Sequence, residues 1–174
     1  MPPGVTRAAM DRMRESLFAI LGDLHGLSFL DLYCGSGAVG IEAASRGADP
    51  VVFVEKDRRK RESLKSNTSY LREQVELHFF PVEHYLRRVK RSFDLIFLDP
   101  PFAQKGKAEM LELVAARRIL SPGGTLILHV PRGEALPERA GELALSDRRA
   151  YGGSILLFYR HGEGGSGSPP AAGG

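Results

Sequence analysis

Three stretches of this chain carry groups able to do chemistry, at spacings that folding rules can interpret. The first is Asp31-Leu-Tyr-Cys34-Gly35-Ser36-Gly37-Ala-Val-Gly40, whose glycines fit G-x-G-x-x-G. Glycine lets a backbone turn tightly and approach a ligand with no Cβ in the way. The second is Glu55, 20 residues beyond Gly35 and at the end of the apolar run Val51–Glu55. A carboxylate at that place accepts hydrogen bonds from both ribose hydroxyls of an adenosine. Strand, glycine turn, helix and acid in this order are the context that a nucleoside-cofactor site demands. Asp31 narrows the cofactor. A pyrophosphate at the turn would be repelled by a carboxylate four residues before Gly35. A sulfonium and an ammonium would be attracted, which favours S-adenosylmethionine over a nicotinamide or flavin dinucleotide.

The third stretch, Asp99-Pro100-Pro101-Phe102, directly follows the apolar strand candidate Leu95-Ile-Phe-Leu98. In open α/β sheets ligands bind beyond the carboxyl ends of strands, so this tetrapeptide is expected to face the crevice that the glycine loop faces. An exocyclic amine on a nucleobase is a poor nucleophile, because its lone pair is conjugated into the ring. Two acceptors that take both N–H bonds hold it in line for attack on a sulfonium methyl. The Asp99 carboxylate is one such acceptor and the Pro100 carbonyl, aimed by proline's fixed φ, is the other. Phe102 offers a stacking surface for the base. The acceptors also stabilise the positive charge that develops on nitrogen.

The elements that must position these groups read as alternating strands and helices. Strand candidates are Ser28–Tyr33, Val51–Glu55, Val75–Phe80, Phe93–Asp99 and Thr125–Val130. Helical patterns fall at Ile41–Arg46, Lys60–Leu71, Val82–Lys90 and Ala108–Ile119, and Ser121-Pro-Gly-Gly124 reads as a turn. This alternation predicts a Rossmann-like α/β fold, a mostly parallel sheet with helices on both faces. The end breaks the rhythm: Glu142–Ala150 and Ser154–Tyr159, joined at Tyr151-Gly152-Gly153, suit an antiparallel hairpin. Near the start, Met10, Met13, Leu17, Ile20 and Leu21 recur at helical spacing and predict core packing. The folded domain is expected over 5–161. The Gly/Ser/Pro/Ala-rich stretch 162–174 has nothing to bury and is expected to be disordered.

Composition supports one globular unit: 174 residues, 43% hydrophobic and 26% charged. A single cysteine excludes an internal disulfide, and no apolar run is long enough to span a membrane. No secretory signal is visible, so a cytoplasmic location is expected. The net charge of +3 is mildly basic. Its clusters, Arg58–Arg61, Arg87-Arg88 with Lys90-Arg91, Lys105 with Lys107, and Arg117-Arg118, each read as solvated helix faces when taken singly. They would form a nucleic-acid patch if the fold gathered them on one side. His25, His78, His84, His129 and His161 lack partners at metal-ligand spacing, and no metal is expected. Cys34 reads as a small filler of the loop.

The chain resembles the RsmD-type small-subunit ribosomal RNA guanine-N2 methyltransferases. The resemblance rests on Arg7-x-x-x-Asp11-Arg12-Met13-Arg14-Glu15-Ser16-Leu17-Phe18, the Asp31–Gly40 loop, Ile41–Ala48 with its Ser45-Arg46-Gly47-Ala48, Val54–Asp57, Asp99–Phe102 and Tyr151-Gly-Gly-Ser154. These run in the family's order across about 7–160. The resemblance implies a class I methyltransferase fold with seven strands, the last antiparallel. It implies S-adenosylmethionine as donor and a guanine of 16S rRNA, in an assembling 30S particle, as acceptor. Asp99, Pro100, Pro101 and Phe102 are then the catalytic group. Asp31, Cys34, Gly35, Ser36, Gly37, Glu55 and Val82 hold the cofactor, and Arg7, Arg12, Arg14 and Lys105 meet RNA.

Two departures stand out. Family members usually open with a basic strand pair, where this chain has Met1-Pro-Pro-Gly4; a downstream start assignment or altered RNA docking is expected. The third strand usually ends in Asp or Asn, where this chain has Pro81. The Val82 N–H is then left to serve adenine, with Glu83 as a substitute side chain. Rival readings are an adenine-N6 methyltransferase on nucleic acid and a non-catalytic rRNA-binding assembly factor on the same fold.

Overall fold

The computed structural model describes residues 6–162, apart from the side chains of residues 72 and 73. The chain opens with helix α1 (Arg7–Leu21), whose first turn is capped by Thr6: its hydroxyl oxygen accepts from Ala9 N at 3.0 Å. A parallel αβ series follows: β1 (Phe29–Leu32), α2 (Ala38–Ser45), β2 (Val51–Val54), α3 (Arg61–Thr68), β3 (Val75–His78), α4 (Val82–Arg88), β4 (Phe93–Leu98), α5 (Lys107–Ala116) and β5 (Leu120–Pro131). The chain closes with β6 (Arg139–Ala140), β7 (Leu143–Tyr151) and β8 (Ser154–His161). Short 3-10 turns flank α3 where a single helix over Lys60–Leu71 was expected.

One eight-stranded sheet results, in the order β3-β2-β1-β4-β5-β8-β7-β6. The first five strands are parallel, and β8, β7 and β6 join antiparallel. The expected fold class is therefore what is found, with one strand more than the seven that the resemblance implies. The addition is the two-residue β6 at the edge.

Strand alternation divides the core in two. Leu30, Leu32, Val52, Val54, Ile96, Leu98, Leu126 and Leu128 face α4 and α5, meeting Leu86, Met110, Leu111 and Val114. Phe29, Val51, Phe53, Leu95, Phe97 and Ile127 face the other way, meeting Met13, Leu17 and Phe18 of α1, Ala43 and Ala44 of α2, and Leu64 of α3. Both faces are covered, which is why the central strands read as near-continuous apolar runs. Asp31 is the polar exception in β1, 1% exposed on the face of α1, α2 and α3. The apolar stripe of α1 packs as expected through Met13 and Leu17, but Ile20 is 38% exposed and Phe18 is buried instead.

The Ser121–Gly124 turn is corrected by the structure. These residues lie within β5, where Phe93 pairs with Leu120 and Leu95 with Thr125. Four residues thus bulge opposite Asp94 alone. The chain does not reverse there; turn-forming residues in a paired strand make a bulge. A Cβ on Gly124 would stand 2.8 Å from Asp94 O and from Ser121 O, so the bulge has no room for one. No described helix is long and apolar enough to cross a membrane.

Candidate active site

β1 and β4 are neighbours in the sheet, yet the connection after β1 runs toward β2 and the one after β4 toward β5. Loops that diverge from adjacent strand ends open a crevice. A cleft of about 730 Å³ lies there. The glycine loop lines it with Asp31, Tyr33, Cys34, Gly35 and Ser36, β4 with Phe97 and Asp99, and α1 with Arg7, Met10, Asp11, Met13 and Arg14. Sequence-predicted residues from three separate stretches therefore share one cavity. Gly37, Glu55, Val82, Pro100, Pro101, Phe102, Arg12 and Lys105 are not in its lining.

The loop after β1 is held from below. Cys34 N donates to Val54 O at 3.2 Å and Gly37 N to Cys34 O at 2.9 Å. Glu55, 8% exposed, accepts from Gly35 N at 3.0 Å and from Asp57 N at 2.8 Å, so it fixes the loop to the end of β2. Each of its oxygens keeps acceptor capacity beyond these bonds. Asp31 Oδ2 accepts from Gly40 N at 3.0 Å in the first turn of α2. Burial pushes its carboxyl up to about 8; the Gly40 bond opposes this, and the charges of Asp99 and Glu55 add to it. The loop's later glycines are required by packing. A Cβ on Gly40 would sit 2.3 Å from Phe53 Cε1, and one on Gly37 2.6 Å from Leu64 Cδ1. Desolvation, with Asp31 and Glu55 adding to it, pushes the Cys34 thiol far up, which agrees with a filler role.

Asp99 stands at the end of β4 with its side chain 29% exposed. The register pairs Leu98 with Leu128, so the next residues, Asp99 and His129, emerge side by side from adjacent strands. His129 Nδ1 lies 2.9 Å from Asp99 Oδ1. Among the described residues the second carboxylate oxygen of Asp99 and the Pro100 carbonyl have no partner. Pro100 is buried, Pro101 exposed and Phe102 half-buried, its ring edge-on to His129 at 5.4 Å. Lys107, 3% exposed, donates to Phe102 O at 2.9 Å and to both oxygens of Glu134 at 2.9 and 2.7 Å. The sequence marks His129 only as a histidine without metal-ligand spacing and Glu134 not at all, and it reads Lys107 with Lys105 as a solvated face, which the burial of Lys107 corrects: its ammonium is taken up by Phe102 O and Glu134.

Tyr33 ties the loop after β1 to the loop after β4 and to the first turn of α4. Its hydroxyl donates to Glu83 Oε1 at 3.2 Å, and Gln104 Nε2 donates to Tyr33 Oη at 2.6 Å and to Glu83 Oε1 at 3.1 Å. Tyr33 has φ +61, a left-handed conformation unfavourable for a side chain, and the network holds it there. Glu83 is half-buried, with one oxygen committed to Tyr33 and Gln104. Pro81 is the N-cap of α4. Val82 buries its side chain among the residues facing α4 and α5, while its N–H, in the helix's first turn, has no partner among the described residues.

The basic groups divide. Arg7 and Arg14 line the cleft, Arg14 paired with Asp11 at 2.7 Å, and Lys60 lines it 4.0 Å from Glu55. Arg12 is exposed outside the cleft lining, and Lys105 is exposed on the loop that carries Asp99. Arg87, Arg88, Lys90 and Arg91 precede β4, and Arg117 and Arg118 precede β5, so both clusters lie toward the amino ends of the strands, away from the cleft. The single-sided patch that would unite all clusters does not form. Among the described residues no group of three or more His, Cys, Asp or Glu side chains is placed to hold a metal.

A parallel sheet closed by an antiparallel hairpin, with a glycine loop and an Asp-Pro-Pro-Phe turn at its switch point, defines a class I methyltransferase fold. A Haemophilus influenzae structure provisionally described as a methylase is similar, with TM-score 0.77 and 28% identity over 89% of this chain and 99% of that one. The family model described as Conserved hypothetical protein 95 matches residues 1–160. The chain belongs to that family, the RsmD-type methyltransferases. Bacillus subtilis (strain 168) YlbH, provisionally named an rRNA methyltransferase, is 32% identical over 161 residues, 89% of this chain and 88% of YlbH. The Haemophilus influenzae ribosomal RNA small subunit methyltransferase D is 31% identical over 136 residues, 75% and 70% of the two chains.

The motifs specific to the family's ends also touch in this fold. Ser16 of the α1 block hydrogen-bonds Tyr151 Oη of the Tyr151–Ser154 turn, which seats the cleft-lining helix on the β7–β8 hairpin. The Ser45–Ala48 run closes α2 and hydrogen-bonds the loop before β1 through Gly26 N to Gly47 O at 2.9 Å.

Proposed function

We propose that this chain transfers a methyl group from S-adenosylmethionine to the N2 amine of a guanine in small-subunit rRNA. One observation carries the reading: Asp99, with one oxygen fixed and the other unpartnered, lines the same cleft as the glycine loop and Asp31. The names of the relatives support the acceptor class: both refer to rRNA, and that of the Haemophilus influenzae protein to the small subunit. The cleft fits the cofactor, since buried Asp31 answers a cationic group and Gly35 and Ser36 leave its floor open. Glu55 keeps lone pairs for ribose hydroxyls, and the Val82 N–H is an unpartnered donor for adenine.

When bound, the cofactor supplies a methyl made electrophilic by an adjacent sulfonium. The chain's own residues do the rest. Asp99 and the Pro100 carbonyl accept the two N–H bonds of the amine and aim its lone pair along the cleft. Phe102 stacks on the base, which must leave its own stack to reach this depth. Positive charge that develops on the attacking nitrogen is met by the Asp99 carboxylate. The product ammonium is acidic and loses its proton to water, so Asp99 need not be a strong base.

Arg7, Arg14, Lys60 and Lys105 meet the RNA backbone around the cleft mouth, with Arg12 a more distant contact. The methyltransferase domain is assigned to 5–161. The stretch 163–174 lies outside the described residues. An rRNA acceptor within an assembling 30S particle places the chain in the cytoplasm. The test is deletion of the gene followed by nucleoside analysis of small-subunit rRNA. Loss of one N2-methylguanine, restored by the wild-type gene and not by Asp99→Ala, is the expected result; unchanged modification contradicts it.

A further inference from the structure

We propose that His129 is the positioning residue of the reaction: it holds the Asp99 carboxylate in the plane that presents one oxygen to the target amine. The inference rests on the proposed function and names a residue beyond it.

His129 is fully buried, and its Nδ1 is 2.9 Å from Asp99 Oδ1. A carboxylate only accepts, so Nδ1 carries the proton. Nε2 is buried and has no hydrogen-bond partner among the described residues. A buried polar atom left unmatched is costly, and a well-packed apolar side chain would avoid that cost. Leu156, which pairs with His129 across the β5–β8 ladder, and Ile127, two residues before it, show that the surroundings accept apolar groups. Among the described residues the one hydrogen bond that the ring makes is the one to Asp99.

The contact has a clear physical use. The terminal torsion of an aspartate is broad and nearly two-fold, so the backbone alone does not choose the carboxylate plane. Asp99 is part-exposed, and of its two oxygens only Oδ1 is anchored by a described residue. One donor from a rigid strand selects the plane and leaves the second oxygen for the amine. The Phe102 ring, edge-on to the same imidazole, is indexed to that plane too. Misplacing a reacting group by about 1 Å costs roughly 10²-fold in rate. Among the described residues no hydrogen bond of His129 reaches the glycine loop, so cofactor binding should be indifferent to it.

The experiment compares wild type, His129→Leu and His129→Asn. Asparagine places its amide N–H near the position of Nδ1, while leucine fills the space and donates nothing. Methyl transfer to small-subunit rRNA, S-adenosylmethionine affinity by calorimetry, and imidazole 15N–1H spectra of wild type and Asp99→Asn are measured. The expected result is a kcat about 10–10²-fold lower in His129→Leu, on the scale of a misplaced group. Cofactor affinity should stay within about twofold, and His129→Asn should recover most of the lost rate. The wild-type spectrum should show Nδ1–H and a bare Nε2, with the Nδ1–H signal moved in Asp99→Asn. Wild-type turnover in His129→Leu overturns the proposal, as does His129→Asn no faster than His129→Leu while both bind cofactor. If wild type methylates no rRNA, the functional reading falls separately. The spectrum then still decides the contact, and an Nε2–H tautomer overturns it.

Discussion

Lys107, the first residue of α5, is buried with its ammonium between Phe102 O and the Glu134 carboxylate. A cation at a helix N-terminus opposes the helix dipole, and burying it costs more again. Its partners explain it: Lys107 fixes the last residue of Asp99–Phe102 to the β5–β6 connection. Removing Glu134, which is part-exposed, leaves the ammonium buried with one neutral partner. Glu134→Ala should therefore destabilise by up to about 3 kcal/mol, the bottom of the range for a broken buried pair, because Glu134 is part-exposed. Lys107→Met keeps the volume and lets Glu134 turn to water, so it should cost less stability while slowing turnover. Thermal unfolding of both variants checks this; Lys107→Met melting below Glu134→Ala would contradict it.

Asp99→Ala should lower kcat about 10²–10³-fold, as for loss of one oriented transition-state partner. The proposed function gives the cofactor's amino-acid end to the glycine loop rather than to Asp99, so its affinity should change little. Single-turnover methyl transfer and calorimetry together measure the two effects. Near wild-type turnover would refute the role.

Asp31 predicts a pH dependence with a definite sign. Burial first, then the charges of Asp99 and Glu55, hold its carboxyl at about 8 against the Gly40 bond. The native chain therefore keeps a proton between pH 4 and 8, roughly, that the unfolded chain releases, and stability falls as pH rises through that window. A bound cation favours the carboxylate, so cofactor binding below about pH 8 releases this proton and tightens with pH, by at most tenfold per unit. Asp31→Asn should flatten both slopes. Calorimetry in buffers of different ionisation enthalpy reads the proton directly, and equal proton release by wild type and Asp31→Asn would contradict the assignment.

Much of this site was legible because local chemistry fixed it. The glycine turn, the acid at the end of β2 and the Pro-Pro stop after β4 each follow a strand, and strand ends at a switch point must converge. What stayed hidden depends on register and depth. His129 meets Asp99 only because Leu98 pairs with Leu128, and Tyr33, Glu83 and Gln104 meet only because two loops and the first turn of α4 converge. Ser121–Gly124 read as a turn because its residues are turn formers; pairing with β4 overrode them and made a bulge. The basic clusters could not be sorted until the fold showed which flank the amino ends of strands.

Gly40→Ala separates packing from ligand approach within the loop. Its Cβ would meet the rigid Phe53 ring at 2.3 Å, so overpacking should cost about 1–3 kcal/mol. At Gly35 an added Cβ would meet only the end of Lys60, at 3.9 Å, so Gly35→Ala carries the left-handed backbone penalty alone, about 1–2 kcal/mol at φ +56. Gly40→Ala should thus melt lower, and Gly35→Ala should lose more cofactor affinity relative to its stability. Equal affinity losses per degree of melting would contradict the division.

The central claim is that the Asp99 cleft methylates a guanine amine, and the modified nucleoside itself is the most direct readout. Purified chain is incubated with methyl-labelled S-adenosylmethionine and unmodified small-subunit rRNA, free and assembled, and the RNA is digested for mass analysis. The account predicts label in N2-methylguanosine at one position, abolished by Asp99→Ala. Label in N6-methyladenosine, or none in either substrate from a chain that binds the cofactor, would contradict it.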